Sequence, residues 1–186
     1  MTPIINNEDL TEKPLGNENR AVFDCGDAYV NGYIQSDRIV RDVQNYETAA
    51  FVFVAPASQT IASYYTLSNT SVKKALFSNK ERRSLSYPAT PAAIIGYLGV
   101  DKNFKGNHLG IFTLKRALQR CLDLSRECGC AVVVLDVETG NKIALAMYEK
   151  AGFKEFHEPE GEGSVALAQT KKLYMTMPNI KAALEG

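Results

Sequence analysis

With 186 residues, 45% of them hydrophobic and 23% charged, the chain has the length and composition of one soluble globular domain. Its 21 basic residues balance 21 acidic ones, which excludes a global affinity for polyanions, and no apolar stretch approaches the length of a bilayer span. The polar first nineteen residues lack the apolar core of a signal peptide, so a cytoplasmic location is expected.

Residues 1–19, rich in Asn and Glu and broken by Pro3, Pro14 and Gly16, read as a polar N-terminal extension ahead of a single domain over 20–186. Phe23-Asp24-Cys25-Gly26-Asp27 reads as a turn and helix entry. Tyr29, Val30, Tyr33, Ile34, Ile39, Val40 and Val43 then recur at near-helical spacing. An apolar strand over 47–55, a turn at Pro56-Ala57-Ser58-Gln59 and a returning strand over 60–67 predict an antiparallel hairpin. Residues 68–90 carry loop chemistry, with a short helix predicted over 72–77. A strand over 92–100 precedes a helix over 109–128, whose Leu114, Ala117, Leu118, Cys121, Leu122 and Leu124 are expected to face inward. The apolar run 131–137 suits a strand covered on both faces. A helix over 141–151, a short segment over 153–157 and a closing strand over 171–177 complete the chain. The fold class predicted is α/β: one mixed sheet, antiparallel first and crossover-connected later, with helices on both faces.

Cys25, Cys121, Cys128 and Cys130 read as reduced structural thiols. The pair Cys128-Gly129-Cys130 has no second Cys or His pair to complete a zinc site, so no metal is expected. Charge is unevenly spread. Lys73, Lys74, Lys80, Arg82 and Arg83 stand against the single Glu81, whereas Glu155, Glu158, Glu160 and Glu162 form an acidic run. On charge alone both read as solvated surfaces.

The chemistry concentrates in two runs. In Leu98-Gly99-Val100-Asp101-Lys102-Asn103-Phe104-Lys105-Gly106-Asn107-His108-Leu109-Gly110, a strand gives way to a glycine-bearing turn and at once to a helix. Such a helix start presents backbone N–H groups that lack intrahelical partners, a seat for an anionic phosphate. The second run is Asn141-Lys142-Ile143-Ala144-Leu145-Ala146-Met147-Tyr148-Glu149-Lys150-Ala151-Gly152-Phe153. Asn141 suits a helix N-cap. Tyr148, seven residues on, lies on the same helical stripe and reads from spacing alone as an amphipathic core residue.

Together and in this order, the two runs resemble the pyrophosphate loop and the Asn…Tyr-Glu-Lys-x-Gly-Phe helix of the GNAT N-acetyltransferases. The resemblance implies the GNAT acyltransferase fold and acetyl-CoA as cofactor. It assigns cofactor contacts to Leu98, Gly99, Val100, Lys105, Gly106, Asn107, His108, Leu109, Gly110 and Asn141, and makes Tyr148 the general acid. Lys105 stands where the family has Gln or Arg, and His108 replaces the first motif glycine; Gly106 is expected to take over the permissive backbone role. No general base declares itself, and His157 reads as solvated. Phe23-Asp24-Cys25-Gly26, Ile61-Ala62-Ser63-Tyr64-Tyr65-Thr66-Leu67-Ser68 and Leu173-Tyr174-Met175-Thr176-Met177 further resemble the TacT-type toxin branch, which acetylates the amino group of aminoacyl-tRNA. That likeness implies aminoacyl-tRNA, a ribbon-helix-helix antitoxin and a second copy of the chain as partners. It implies RNA contacts at Arg38, Arg41, Lys73, Lys74, Lys80, Arg82 and Arg83. Two alternatives stay open: acetylation of a small-molecule or protein amine, and a non-catalytic CoA-fold module kept for partner binding.

Overall fold

The computed structural model describes residues 6–56, 58–156 and 170–185. Seven strands hydrogen-bond in the order β1-β2-β3-β4-β5-β7-β6, the mixed sheet that the alternation of apolar strands and amphipathic helices predicts. The chain divides into two compact units, Met1–Ser68 with Ile95–Ala117 and Asn69–Ile94 with Leu118–Gly186.

In the first unit, β2 (Ala49–Ala55) pairs antiparallel with β3 (Thr60–Lys73) from Ala49↔Leu67 to Ala55↔Thr60, the predicted hairpin. Thr11–Pro14, which the sequence places in the polar extension, forms β1 and pairs antiparallel with β2 from Thr11↔Val54 to Pro14↔Phe51. The helical periodicity between 29 and 43 resolves into two helices, α1 (Ala28–Gln35) and α2 (Asp37–Gln44). Asp27 starts the first by accepting the N–H groups of Tyr29 and Val30 at 2.9 and 3.0 Å. Ser36 ends it: its hydroxyl donates to the Tyr33 carbonyl at 2.8 Å, a local bond that competes with the helical ladder.

Phe23, Ile34, Ile39, Val52 and Tyr64, each no more than 1% exposed, fill this unit's core. The Phe23 and Tyr64 rings meet edge to face at 5.3 Å, and the Tyr64 hydroxyl donates to the Val30 carbonyl at 2.8 Å. Gly99, in β4 (Ala89–Val100), is the point of closest approach. A Cβ there would lie 2.9 Å from Val30 Cγ1 and 3.1 Å from ring carbons of Phe23 and Tyr64. Gly99→Ala should therefore destabilise the fold by about 1–3 kcal/mol through overpacking. A urea midpoint equal to wild type would mean that α1 yields freely.

In the second unit, β4 pairs in parallel with β5 (Val132–Glu138) over Ala92↔Val132 to Ile94↔Val134. β5 pairs antiparallel with β7 (Thr170–Thr176) along its whole length, and β7 takes the short β6 (Lys154–Glu155) on its other edge. The four successive buried residues Val132–Leu135 are the apolar run seen in the sequence. The stretch expected as loop is more ordered than its composition implies. β3 continues to Lys73, a 3-10 turn covers Lys74–Leu76 in place of the helix predicted over 72–77, and α3 spans Asn79–Arg82. Phe77 anchors the stretch, its ring edge-on to Tyr174 at 5.0 Å and to Phe156 at 5.2 Å. α4 (Leu109–Cys128) and α5 (Lys142–Ala151) fall where predicted, while α6 (Met177–Glu185) follows β7 directly, with Pro178 in its first turn. Among the described residues no helix is long and apolar enough to cross a membrane.

Candidate functional site

The turn between β4 and α4 is built around Asp101, which is 1% exposed. Its carboxylate accepts the Asn103 N–H and side-chain amide at 2.9 Å each, which sets the 3-10 turn Lys102–Phe104. The other oxygen accepts the Asp24 N–H at 2.9 Å, and the Asp101 N–H donates to the Ala62 carbonyl at 2.9 Å. One buried carboxylate thus fixes both the loop and the entry turn to α1. Sequence reading missed its role; the signal was an Asp at the first position after an apolar strand.

Beyond it the chain adopts left-handed backbone twice, at Gly106 (φ +97°) and at His108 (φ +56°). Gly106 does take a permissive conformation, and nothing lies near the position of a Cβ. His108 nevertheless keeps the conformation that the family's glycine would adopt without cost. The turn opens directly into the twenty-residue α4, whose first N–H groups lack intrahelical acceptors. The positive φ at Gly106 and His108 and the helix start at Leu109 are compatible with an anionic ligand, the chemistry a pyrophosphate would bring. Lys105 is exposed, but its ammonium donates to the Cys25 carbonyl at 2.7 Å, so two of its three protons remain for an anion. The Asn107 carbonyl accepts from the Asn7 side chain at 2.8 Å, a clamp with no signal in the sequence.

In the second unit, Asn141 is the N-cap of α5, its amide oxygen accepting the Ala144 N–H at 3.0 Å. At the other end Gly152, in left-handed backbone (φ +102°), donates to the Glu149 and Tyr148 carbonyls and closes the helix. Tyr148 is 7% exposed, its ring edge-on to Phe153 at 5.7 Å. Burial, with no charged or hydrogen-bonding neighbour contributing, pushes its phenol up to about 12. It therefore stays protonated throughout the neutral range. Among the described residues its hydroxyl has no hydrogen-bond partner, while the ring is held by packing.

The basic segment differs from its sequence reading in one respect. Glu81 does not stand among the cations as a solvated counter-charge. Its carboxylate accepts the Ser78 hydroxyl at 2.6 Å, the Lys154 ammonium at 3.2 Å and the Tyr174 hydroxyl. Lys73, Lys80 and Arg83 are exposed. Lys74 donates to the Leu85 carbonyl and Arg82 to the Asn79 side chain, and both line a shallow cavity of about 410 Å³ with Lys73 and Ser86. In the other unit Arg38 and Arg41 are exposed on α2. His157 and the acidic positions Glu158, Glu160 and Glu162 lie outside the described residues. All four cysteines are free thiols, and among the described residues no cluster of His, Cys, Asp and Glu is placed to hold a metal.

Burial by itself would raise the Glu81 carboxyl, but the hydrogen bonds from Ser78, Tyr174 and Lys154 hold it at about 2 against an ordinary 4.5. A carboxylate depressed on folding contributes stability that is complete above its unfolded value and lost as pH falls through its folded one. The stability gap between wild type and Glu81→Gln should thus be widest above pH 5 and shrink toward pH 2. Urea titrations at pH 6 and pH 3 read it, and a gap independent of pH would dismiss the ion-pair account.

This mixed sheet, with a strand and turn ahead of α4 and a capped helix carrying Tyr148, has the architecture of the GNAT acetyltransferases. The sequence profile of the acetyltransferase (GNAT) family matches residues 24–153, most of the chain, and the protein belongs to that family. It is thus an N-acetyltransferase whose acyl donor is acetyl-CoA. The probable toxin TacT of Sinorhizobium fredii (strain NBRC 101917 / NGR234) is 27% identical over 146 residues, 73% of this chain and 77% of its own. Among solved structures, AtaT complexed with acetyl-methionyl-tRNAfMet superposes with a TM-score of 0.79 at 21% identity, over 94% of this chain and 98% of its own. A tyrosine-to-phenylalanine mutant of AtaT, bound to the C-terminus of the antitoxin AtaR and acetyl-CoA, gives 0.74 at 19% identity, over 96% and 99%. At these identities the structural likeness establishes the fold.

Proposed function

We propose that this protein acetylates the α-amino group of aminoacyl-tRNA, with Tyr148 as general acid. The observation that carries the reading is the Tyr148 phenol, protonated and without a hydrogen-bond partner among the described residues, in a GNAT chain related to a probable TacT toxin. Bound acetyl-CoA supplies an activated acyl thioester. The Leu98, Gly99 and Val100 backbone offers hydrogen-bonding groups to the pantetheine arm. Lys105 and the N–H groups from Gly106 to Gly110, with Asn107 and His108 between them, take the pyrophosphate. Asn141 contributes the amide protons that its capping oxygen leaves free.

The acceptor nitrogen bonds to the acyl carbon as the carbon–sulfur bond breaks. Tyr148 Oη gives its proton to the departing sulfur, and the proton shed by the nitrogen restores the phenol through water. A phenol near 12 facing a thiol near 8.5 in water would transfer uphill by about 5 kcal/mol. Burial raises a thiolate's proton affinity as it raises the phenol's, and this narrows the difference. An α-amine with a pKa of about 8 keeps an appreciable neutral fraction at physiological pH, so the chemistry needs no dedicated base.

Overall charge is neutral, so RNA must be held locally. Lys73, Lys74, Lys80, Arg82 and Arg83 form the proposed surface on one unit, and Arg38 and Arg41 on the other. Because Glu81 is turned into its own hydrogen-bond cluster, it leaves these cations uncompensated. An antitoxin is the expected protein partner, since AtaT has been seen with AtaR. The test is acetyl transfer from labelled acetyl-CoA to aminoacylated tRNA, with uncharged tRNA and free amino acids as controls. Label confined to the aminoacyl group is the expected result. Transfer only to free amines would replace the RNA reading with a small-molecule one, and no transfer to any amine would leave a CoA-binding module.

A further inference from the structure

The first unit carries a feature that none of this uses. Tyr29 and Tyr33 lie one turn apart on α1 and so share a face. The Tyr97 ring from β4 stacks on Tyr33 with centroids 3.9 Å apart and 5° between planes, and on Tyr29 at 5.3 Å and 26°. The three rings grade from inside to outside: Tyr33 is 7% exposed, Tyr97 half-buried and Tyr29 67% exposed. Hydrogen bonds hold both ends of the stack. The Tyr33 hydroxyl donates to Asp42 at 2.9 Å, and the Tyr97 hydroxyl donates to that of Tyr29 at 3.0 Å. Tyr29 is thus an aromatic surface fixed in orientation yet largely open to solvent. Stacking on Tyr97 uses only part of its surface, and 67% of it stays open.

Beside the inner ring of the stack stands a cation. Arg38 lies with its guanidinium carbon 5.6 Å from the Tyr33 ring centre, its side chain 65% exposed. Its Nε meets Asp42 at 3.5 Å, which leaves the outer edge of the fork to solvent, and Arg41 is exposed on the same helix. A rigid exposed ring at one end of a stack, with guanidinium groups on the helix that follows, is chemistry suited to an unpaired nucleotide. The base stacks on the ring while the cation meets a phosphate.

We propose that the Tyr29–Tyr97–Tyr33 stack is a platform for an unpaired base at the 3′ end of the RNA acceptor, with Arg38 on the adjoining phosphate. The assignment rests on the RNA reading above and names the residues through which the acceptor end is held. Tyr29 is a positioning residue: it acts on where the aminoacyl end lies, not on the transferred group. Stacking tolerates any base, so the platform selects for a single-stranded end and not for a sequence.

The test uses the full chain as wild type, Tyr29→Leu and Tyr29→Trp. The probe is a short RNA hairpin ending in unpaired CCA, with 2-aminopurine in place of the terminal adenine. Quenching of its fluorescence by wild type, its loss in Tyr29→Leu and its return in Tyr29→Trp are expected. In steady-state transfer, Tyr29→Leu should raise KM for aminoacyl-tRNA by about five- to a hundredfold with kcat preserved. Transfer to an amino acid methyl ester, which has no base, should be the same in wild type and variant.

Undiminished quenching in Tyr29→Leu, or equal losses on tRNA and ester, would overturn the platform. So would a variant that binds RNA normally but changes its sedimentation, since a second copy would then be what covers the ring. If wild type transfers acetyl to no aminoacyl-tRNA, it is the RNA-acceptor function that fails, and the quenching experiment alone then decides the platform.

Discussion

Tyr148→Phe is expected to lower kcat by about 10²- to 10⁴-fold while leaving acetyl-CoA affinity within about twofold. The substitution removes one oxygen and keeps the ring that meets Phe153 edge-on at 5.7 Å, so α5 and its surroundings should stay folded. The phenol near 12 also fixes the sign of the pH dependence. Activity should rise with pH as the acceptor amine loses its proton near 8, with no falling limb until the far alkaline range. Tyr148→Phe should lower this profile without displacing its rising limb. Turnover equal to wild type would return Tyr148 to the core-packing role that its burial alone suggests.

Replacing Lys80, Arg82 and Arg83 together by Gln should flatten the dependence of log K on log salt for tRNA binding by about 2–3 units. Three phosphate contacts correspond to an affinity loss on the order of a hundredfold at 0.15 M salt. The size of the effect depends on Glu81. Were it a solvated neighbour it would offset one cation. Held by Ser78, Tyr174 and Lys154, it offsets Lys154 instead. Arg82 must exchange its contact with Asn79 for a phosphate, so its share should be the smallest of the three, which single substitutions would reveal. An unchanged slope would remove this segment from the RNA surface and leave Arg38 and Arg41 to carry it.

The family and the chemistry-bearing runs were legible because they are local. The strand–turn–helix from 92 to 128 follows from apolar runs, helical periodicity and the glycine at 106, all within the reach of neighbouring residues. The ends of α5 are set by Asn141, whose oxygen caps the helix, and by Gly152, whose left-handed backbone ends it. The antiparallel start of the sheet followed from two apolar runs separated by a short turn.

What the sequence left undecided was settled by contacts between distant residues. Ser68–Lys73 has polar chemistry, yet continues β3 because an adjacent strand supplies hydrogen-bond partners, and pairing outweighs local preference. The polar 11–14 segment becomes β1 because β2 presents it with an open edge. Glu81 counted as a charge in sequence and became a buried-side acceptor only through Tyr174, 93 residues away. Lys105 reaches Cys25 across 80 positions, and Tyr29 reaches Tyr97 across 68. The sequence by itself determined the family and the helices α4 and α5, since these depend on spacing within one or two turns. Only the tertiary structure decided which charges are free, which tyrosines are aligned and which turn Asp101 holds, because each requires two distant segments to meet at hydrogen-bonding or van der Waals distance.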